Sequence, residues 1–310
     1  MPCTGRSAGQ APDSAASPAL SASRVFQPQK AWVKSDEEPP VSGGIVTGLY
    51  LSNSRELTKG EAVDILERGN VYFFYRPKVN ETDVEKKSEV QRFFMVLSPH
   101  GKRSYRLLVL GRKQLPQVHD GGQRHWGFVE TVKHSGKQLR DELGPEEYET
   151  KTRGKQVRPE VRPAGEGVYA LVEHEGHTHF AYELELPDKP QEVQEAFHIE
   201  NEASYILSIK NPDKPAPRGA GLSPERRAEF PKKLKEAFRG RRFAEANPPE
   251  FLDQPGAEIM LIGAEEDVGK ELGIDLNAPD EDATTAEIFN DLRLRKSEHP
   301  TRPLFEGHWA

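Results

Sequence analysis

Ser104-Tyr105-Arg106-Leu107-Leu108-Val109 is a stretch in which Tyr, Leu and Val recur at every second position. A similar stretch, Ser204-Tyr205-Ile206-Leu207-Ser208-Ile209, follows 100 residues later. Two further pairs of matching positions precede them in the same order: Val71-Tyr72 with Val168-Tyr169, and Glu89-Val90-Gln91 with Glu192-Val193-Gln194. Alternation of this kind is typical of β-strands, and a duplicated unit usually buries its apolar face against its twin. Duplication and chance similarity of two strand-rich stretches are both compatible with the pattern.

The sequence predicts an α+β fold with a β-rich core of two strand-rich units, which duplication would relate, and a small C-terminal helix-strand segment. The predicted boundaries follow changes in composition, since Ala, Ser and Pro dominate the start and prolines separate later segments. They are a disordered leader at 1–43, a first β-rich unit at 44–150, a second at 151–217, a helix-strand cap at 218–264, and an acidic, mostly flexible tail with a short helix at 265–310. The two β-rich units are expected to form one domain.

A helix is predicted just before the first aromatic strand. Thr58 and Glu61 form a capping box, which begins an apolar stripe at helical spacing. The stripe consists of Ala62, Ile65 and Leu66. Gly69 suits the left-handed position that follows a helix. The chain is then expected to form a strand over Val71-Tyr72-Phe73-Phe74-Tyr75.

Cysteine usage and hydropathy exclude several classes of protein. Cys3 is the single cysteine, so an internal disulfide, a thiolate zinc site and a CxxC redox pair are excluded. No run approaches the ~20 apolar residues of a membrane helix, and residues 1–30 lack the apolar region of a secretory signal. Prolines in this start disfavour the amphipathic helix of an organelle transit peptide. We therefore expect a cytoplasmic protein without a membrane partner.

Charge is distributed unevenly along the chain, whose formal net charge is −7. Residues 70–161 contain 18 basic and 12 acidic side chains, whereas residues 243–291 contain 1 basic and 14 acidic ones. The acidic segment is expected either to remain solvated or to dock on the basic body and compete with an anionic ligand. Residues 284–310 also carry apolar side chains, which favours folding back on the body or binding an unknown protein partner.

The best local group of metal-ligating side chains lies in a predicted hairpin. A two-residue turn at Glu175-Gly176 would place His174 opposite His177 and Val172 opposite His179. Side chains alternate along a strand, so the wet face would present His174, His177, His179 and Glu183. Neutral imidazoles with a carboxylate suit a divalent transition metal such as zinc, iron, nickel or manganese. A solvated hairpin tip with polar residues on its wet face is the alternative.

The pattern His177-x-His179, followed by three residues and Glu183, resembles part of the metal motif of the cupin family. Leu171 and Pro190 stand where that motif has glycines. The resemblance implies that His177, His179 and Glu183 are metal ligands inside a β-barrel, in a metal-dependent enzyme.

The first unit interleaves cations with aromatic residues. The candidate anion-binding or nucleic-acid-binding cations are Arg76, Arg92, Arg106 and Arg112. The aromatic residues among them include Tyr72, Phe73, Phe74, Tyr75, Phe93, Phe94, Tyr105 and Trp126. Aromatics that stack bases beside cations that hold phosphates are typical of RNA and single-strand binding surfaces. The same alternation of aromatics is also what core strands require.

The chain contains no P-loop, no GxGxxG turn after a strand and no Gly-x-Ser-x-Gly elbow. We therefore expect a non-catalytic binding or interaction module. A metal-dependent, cupin-like enzyme that uses the 174–183 hairpin face is one alternative. A binder of RNA or single-stranded nucleic acid, using the basic and aromatic first unit, is the other.

Overall fold

The computed structural model describes residues 63–118, 122–216 and 221–310. The predicted leader at 1–43 and the capping box of the predicted helix lie outside these residues. The strands are β1 (Asp64–Pro77), β2 (Val90–Pro99), β3 (Tyr105–Leu110), β4 (Arg124–Lys133), β5 (Glu146–Thr150), β6 (Gly154–Arg158), β7 (Arg162–His174), β8 (His177–Leu186), β9 (Glu202–Lys210), β10 (Phe243–Glu245) and β11 (Glu258–Glu265). The helices are α1 (Gly136–Leu143), α2 (Glu192–Phe197), α3 (Lys232–Ala237), α4 (Val268–Leu272), α5 (Ile288–Asp291) and α6 (Arg302–Phe305).

Eight of these strands close into an antiparallel barrel. Their order around it is β1-β2-β3-β4-β11-β9-β8-β7, and β7 pairs with β1 to complete the ring. β10 pairs with the end of β9 as a ninth strand, and β5 and β6 form a separate hairpin. Closure pairs backbone groups that the edges of an open sheet would leave exposed. The β-rich class predicted from the sequence is confirmed in this coarse form.

Aromatic and aliphatic side chains fill the interior of the barrel. Phe73 stacks on Phe93 at a ring-centroid distance of 6.2 Å, and Phe93 stacks on Phe197 of α2 at 4.7 Å. Tyr182 and Tyr205 stack at 6.3 Å on β8 and β9. Full burial of each such side chain contributes roughly 1.5–3 kcal/mol relative to its exposure. The interior is therefore a packed core that holds the outer faces in position.

Two outer faces of the barrel are covered by other parts of the chain. Over β1, β2 and β3, outward side chains such as Phe74 and Leu107 pack against Leu139 of α1 and Ile288 of α5. A smaller apolar patch lies over β7 and β8. It is formed on the barrel by Ala170, Val172 and Ala181, and on the covering segment by Val268, Leu272 and Leu276.

The sequence predicts a mostly flexible tail at 265–310, with apolar side chains at 284–310 that favour folding back on the body or a protein partner. In the structure residues 265–310 lie against the barrel. Ile288, Leu292 and Leu304 have no exposed surface, and Trp309 packs on Tyr75 and Phe197. The acidic residues between them dominate the composition of the segment. Docking depends instead on the few apolar side chains, which are spaced along its whole length.

The structure does not confirm the predicted duplication. Leu107 of β3 belongs to an outer cluster, whereas the matching Leu207 of β9 lies in the barrel interior. Glu89-Val90-Gln91 leads into β2, whereas Glu192-Val193-Gln194 begins α2. Successive residues of a strand point to opposite faces. Residues that match in the sequence but point to opposite faces of the sheet therefore do not form equivalent cores.

The helix predicted up to Gly69 was wrong from residue 64 onward, because those residues belong to β1. Gly69 pairs with Pro99 of β2 and with Tyr169 of β7. A Cβ atom at Gly69 would lie 2.3 Å from the carbonyl oxygen of Ser98 and 2.7 Å from the Tyr169 ring. Glycine is thus needed for close strand packing and not for a helix end. Three apolar residues at helical spacing are too few to predict a helix reliably, and here the residues pair with strands on both sides of β1.

Candidate metal centre

A segment of the C-terminal region, residues 267–291, crosses the outer face of β7 and β8 and is called the strap below. Asp267 begins it by capping α4, where its side chain accepts a hydrogen bond of 2.7 Å from the Lys270 amide. α4 and the residues after it cover the apolar patch of β7 and β8. Arg68 of β1 donates a hydrogen bond of 3.3 Å to the carbonyl oxygen of Leu276. Polar clusters lie at both ends of this covered patch.

Three carboxylates meet at one end of the patch. Glu166 comes from β7, Glu185 from β8 and Glu281 from the strap, and one oxygen of each lies within 4.8 Å of the other two. Glu166 is 1% exposed, and its Oε1 accepts a hydrogen bond of 2.8 Å from the Ile288 amide. Its Oε2 is buried and accepts no hydrogen bond from a donor in the described parts of the chain. We call these three residues the carboxylate cluster.

The local sequence explains how Glu166 reaches this position. It pairs with Tyr72 of β1 and Leu186 of β8, and its side chain points away from the barrel interior. A Cβ atom on the next residue, Gly167, would lie 2.2 Å from the carbonyl oxygen of Glu183. Glycine therefore lets β7 and β8 approach closely beside the cluster.

The cluster concentrates negative charge in a partly buried position. Burial, with the charges of Glu281 and Glu185, raises the pKa of Glu166 to about 9. Burial, with the charges of Glu281 and Glu287, raises the pKa of Glu185 to about 8. Burial also raises the pKa of Glu281. The groups that favour ionised Glu166 are the backbone amides of Ile288 and Glu287, which carry no full positive charge.

A cavity of about 200 Å³ adjoins the cluster. Glu185 lines it together with His100 and Asn70 of the barrel and Glu287 of the strap. Asn70 Oδ1 lies 2.8 Å from His100 Nε2, and Asn70 Nδ2 donates to Glu287 Oε2 at 2.5 Å. Nearby, the Tyr72 hydroxyl donates to Asp291 Oδ2 at 2.8 Å. The cavity is large enough for several water molecules beside the carboxylates.

The structure does not bring together all four residues of the predicted histidine face. The two-residue turn is present, with His174 opposite His177 and Val172 opposite His179. His179 is 4% exposed beneath α4, whereas His177 is exposed at the turn. Glu183 lies four residues farther along β8 and pairs with Val168 and Glu202. His174 and His179 are thus brought together, and Glu183 is not brought to them.

A residue of the strap stands near the two histidines instead of Glu183. Glu271 Oε1 lies 3.6 Å from His179 Nδ1, which is also 3.1 Å from Ser204 Oγ. The ring centroids of His174 and His179 are 5.9 Å apart. Burial, with His174 and His177, lowers the pKa of His179 to about 4, so its imidazole is neutral at pH 7. A neutral imidazole keeps a lone pair for a metal ion.

The four predicted arginines do not share a surface. Arg76 is buried and donates to the carbonyl oxygens of Glu142, Gly144 and Pro159 near the end of α1. Arg92 lies 3.5 Å from Glu130. Arg106 points into the barrel, and Arg112 is exposed in the connection between β3 and β4. The guanidinium groups of Arg76 and Arg106 are therefore occupied by internal partners.

The carboxylate cluster was missed by the sequence analysis. Gly165-Glu166-Gly167 has the composition of a turn, but it lies within β7. Alternation along β8 places His179 and Glu185 on one outer face, which was a usable signal for Glu185. Glu281 lies in an acidic run that was expected to be flexible or solvated. The sequence pattern offered no signal that this run folds over β7 and β8.

Comparison with known protein families, with curated proteins and with solved structures gave no match. Within the described residues, no helix is both long and apolar enough to cross a membrane. The features that bear on function are the clusters of polar side chains beneath the strap.

Proposed function

We propose that the protein is a non-catalytic binding module that binds a hard divalent cation, such as Mg²⁺, Ca²⁺ or Mn²⁺, through Glu166, Glu185 and Glu281. The cation fastens the strap to the outer face of the barrel. The observation that carries the proposal is the buried Oε2 of Glu166, which lies among three carboxylates and accepts no hydrogen bond from the described residues.

The distances within the cluster support a shared ion. The three carboxylate oxygens lie within 4.8 Å of one another, which is close to the spacing of about 4.5 Å for three oxygens bound at 2.6 Å to one Ca²⁺. These cations prefer carboxylate, carbonyl and water oxygens, which are the ligands available here. The neighbouring cavity of about 200 Å³ has room for the water molecules that complete such a coordination shell.

The electrostatic cost of the cluster supports the same proposal. Buried carboxylates that face one another must be neutralised, either by protons or by a cation. Glu281 lies within hydrogen-bonding distance of Glu166, so a shared proton is the competing arrangement. A divalent ion neutralises two carboxylates at once and gains ligands from two barrel strands and the strap.

A binding role without catalysis agrees with the position of the cluster. The cluster joins two barrel strands to a covering segment, and it lies on the outer face of a barrel whose interior is packed with aromatic side chains. A cation in this position acts on the docking of the strap. Glu287 and Asp291 of the strap accept hydrogen bonds from Asn70 and Tyr72 of the barrel. A bound cation would therefore order these strap residues as well.

The proposal is tested by thermal unfolding of the full chain after treatment with a chelator. Addition of Mg²⁺, Ca²⁺ or Mn²⁺ is expected to raise the unfolding temperature, because a ligand of the folded state stabilises by RT ln(1 + [L]/Kd). Glu281→Gln should abolish this response. Without cation it should unfold at a higher temperature than the wild type at pH 8, because one repelling charge has been removed.

Asp280→Asn is the matched control, since it removes the same charge from the adjacent, exposed position. It should respond to cations like the wild type. The proposal is overturned if none of the three cations shifts the wild-type transition, or if Glu281→Gln responds as strongly as Asp280→Asn.

A further inference from the structure

A second group of ligand atoms lies at the other end of the covered patch. His174 ends β7, His179 belongs to β8 and Glu271 belongs to α4 of the strap. Two buried atoms of this group, His174 Nδ1 and Glu271 Oε2, have no hydrogen-bond partner in the described structure. Such orphaned atoms destabilise the folded state unless a ligand or water satisfies them.

The spacing of two members of the group is close to that of a metal site. Glu271 Oε1 and His179 Nδ1 are 3.6 Å apart. Two ligands at about 2.0–2.1 Å from a tetrahedral ion are about 3.4 Å apart. The His174 ring, 5.9 Å from the His179 ring by centroids and at 73° to it, has to turn its free nitrogen toward them. His174 is half-buried at the end of β7, next to the exposed turn.

We propose that His174, His179 and Glu271 bind a transition metal of the zinc class. Two imidazoles and one carboxylate form a ligand set that suits Zn²⁺, Co²⁺, Ni²⁺ or Fe²⁺ better than Mg²⁺ or Ca²⁺. The Ser204 hydroxyl, which hydrogen-bonds to the Glu271 carboxylate, orients that ligand. This site differs from the carboxylate cluster in its donor atoms and in its position on the strap.

The ligand set also differs from the one that the sequence resemblance implies. The cupin-like pattern uses His177 and Glu183, whereas the structure exposes His177 and places Glu183 four residues beyond His179. Glu271 lies 92 positions along the chain from His179 and approaches it because α4 packs on the patch. Substitutions at Glu183 and Glu271 therefore distinguish the two arrangements.

Cobalt provides a spectroscopic test. The full chain, purified without a histidine tag and carrying Glu281→Gln to disable the carboxylate cluster, is titrated with Co²⁺. The expected result is the visible absorption of Co²⁺ in a coordination site of low symmetry. This absorption should saturate at one equivalent and disappear when Zn²⁺ replaces Co²⁺. His174→Gln and Glu271→Gln should each weaken Co²⁺ binding by more than about 100-fold, since loss of a ligand exceeds the effect of its hydrogen-bonded neighbours.

His177→Gln and Glu183→Gln are the controls, and both should bind Co²⁺ within about twofold of the parent chain. Circular dichroism verifies the fold of each variant. The proposal is overturned if the parent chain gives no saturable absorption, if Glu271→Gln retains it, or if loss occurs with Glu183→Gln instead. A negative result here leaves the response of the wild type to Mg²⁺ or Ca²⁺ unaffected, so failure of this site is distinguishable from failure of the proposed function.

Discussion

Arg106 of β3 forms an ion pair with Glu67 of β1 across the barrel interior, with Arg106 Nη1 2.5 Å from Glu67 Oε1. β2 lies between these two strands, so the pair spans the curvature of the barrel. Arg106 Nε also contacts Asp253 Oδ1 at 2.7 Å, and Tyr169 donates to Glu67 at 2.9 Å. A buried ion pair of this kind persists because several hydrogen bonds satisfy both partners.

Removal of Arg106 should strongly destabilise the protein. Arg106→Met leaves Glu67 and Asp253 without their shared cation, and breaking one side of a buried pair costs about 3–5 kcal/mol. Urea unfolding measures the loss. Arg112→Met, at an exposed position, should change stability by less than about 0.5 kcal/mol. Equal effects of the two substitutions would contradict the assignment of Arg106 to the interior.

The ion pair should also make stability depend on pH in acid. Burial alone would raise the pKa of Glu67, but hydrogen bonds from Arg106, Lys102 and Tyr169 outweigh it, and the pKa lies below its ordinary value of 4.5. A lowered pKa in the folded state gives stability that is present above pH 4.5 and is lost as the pH falls through the folded value. The stability difference between wild type and Glu67→Gln should therefore shrink below about pH 4. A difference that stays constant from pH 7 to pH 3 would exclude this linkage.

The C-terminal end of the chain should contribute measurably to stability. Trp309 packs at 5.4 Å from Tyr75 and 5.5 Å from Phe197 by ring centroids. Trp309→Ala should lower the free energy of unfolding by about 3 kcal/mol, as is typical of large buried aromatics. Tyr148→Ala, at a residue 38% exposed, is the control and should change it little. A flexible tail would instead predict no effect of Trp309→Ala.

Close packing at Gly69 should make alanine costly there. A Cβ atom would overlap the carbonyl oxygen of Ser98 at 2.3 Å, which the paired backbone of β2 cannot easily avoid. Gly69→Ala should destabilise by about 3 kcal/mol, the upper end of ordinary overpacking. Gly144→Ala is the matched control, because its Cβ atom would be 3.5 Å from its nearest neighbour and its φ is −65°. Equal stability of the two variants would argue against the register of β1.

The sequence was informative where local chemistry decides the structure. The turn at Glu175-Gly176 and the pairing of His174 with His177 follow from turn residues and strand alternation, and both are present. Prediction was poorer where distant pairing decides. Residues 64–69 follow a helical spacing but pair with β2 and β7. Such pairing depends on strands that lie up to about a hundred residues away in the chain, and periodicity does not reveal it.

The candidate sites could likewise be predicted where local alternation decides, but not where packing between distant segments decides. Alternation along β8 was enough to place His179 on an outer face. Its partner Glu271 and the third carboxylate, Glu281, lie in a segment whose acidic composition is compatible both with solvation and with docking on the basic body. The docking of Leu272 and Leu276 on Ala170 and Ala181 helps to bring that segment over the barrel. A few apolar contacts therefore determine both sites, and composition averaged over the tail obscures them.

A crystal structure of the protein grown with Mn²⁺ is the most direct test of cation binding by the carboxylate cluster. Anomalous scattering distinguishes manganese from water and from lighter ions. We expect one strong anomalous peak bounded by oxygens of Glu166, Glu185 and Glu281, at manganese–oxygen distances of about 2.2 Å, and water ligands in the adjoining cavity. Absence of that peak, with two carboxyl groups in direct hydrogen-bonding contact through a shared proton, would contradict the proposed function.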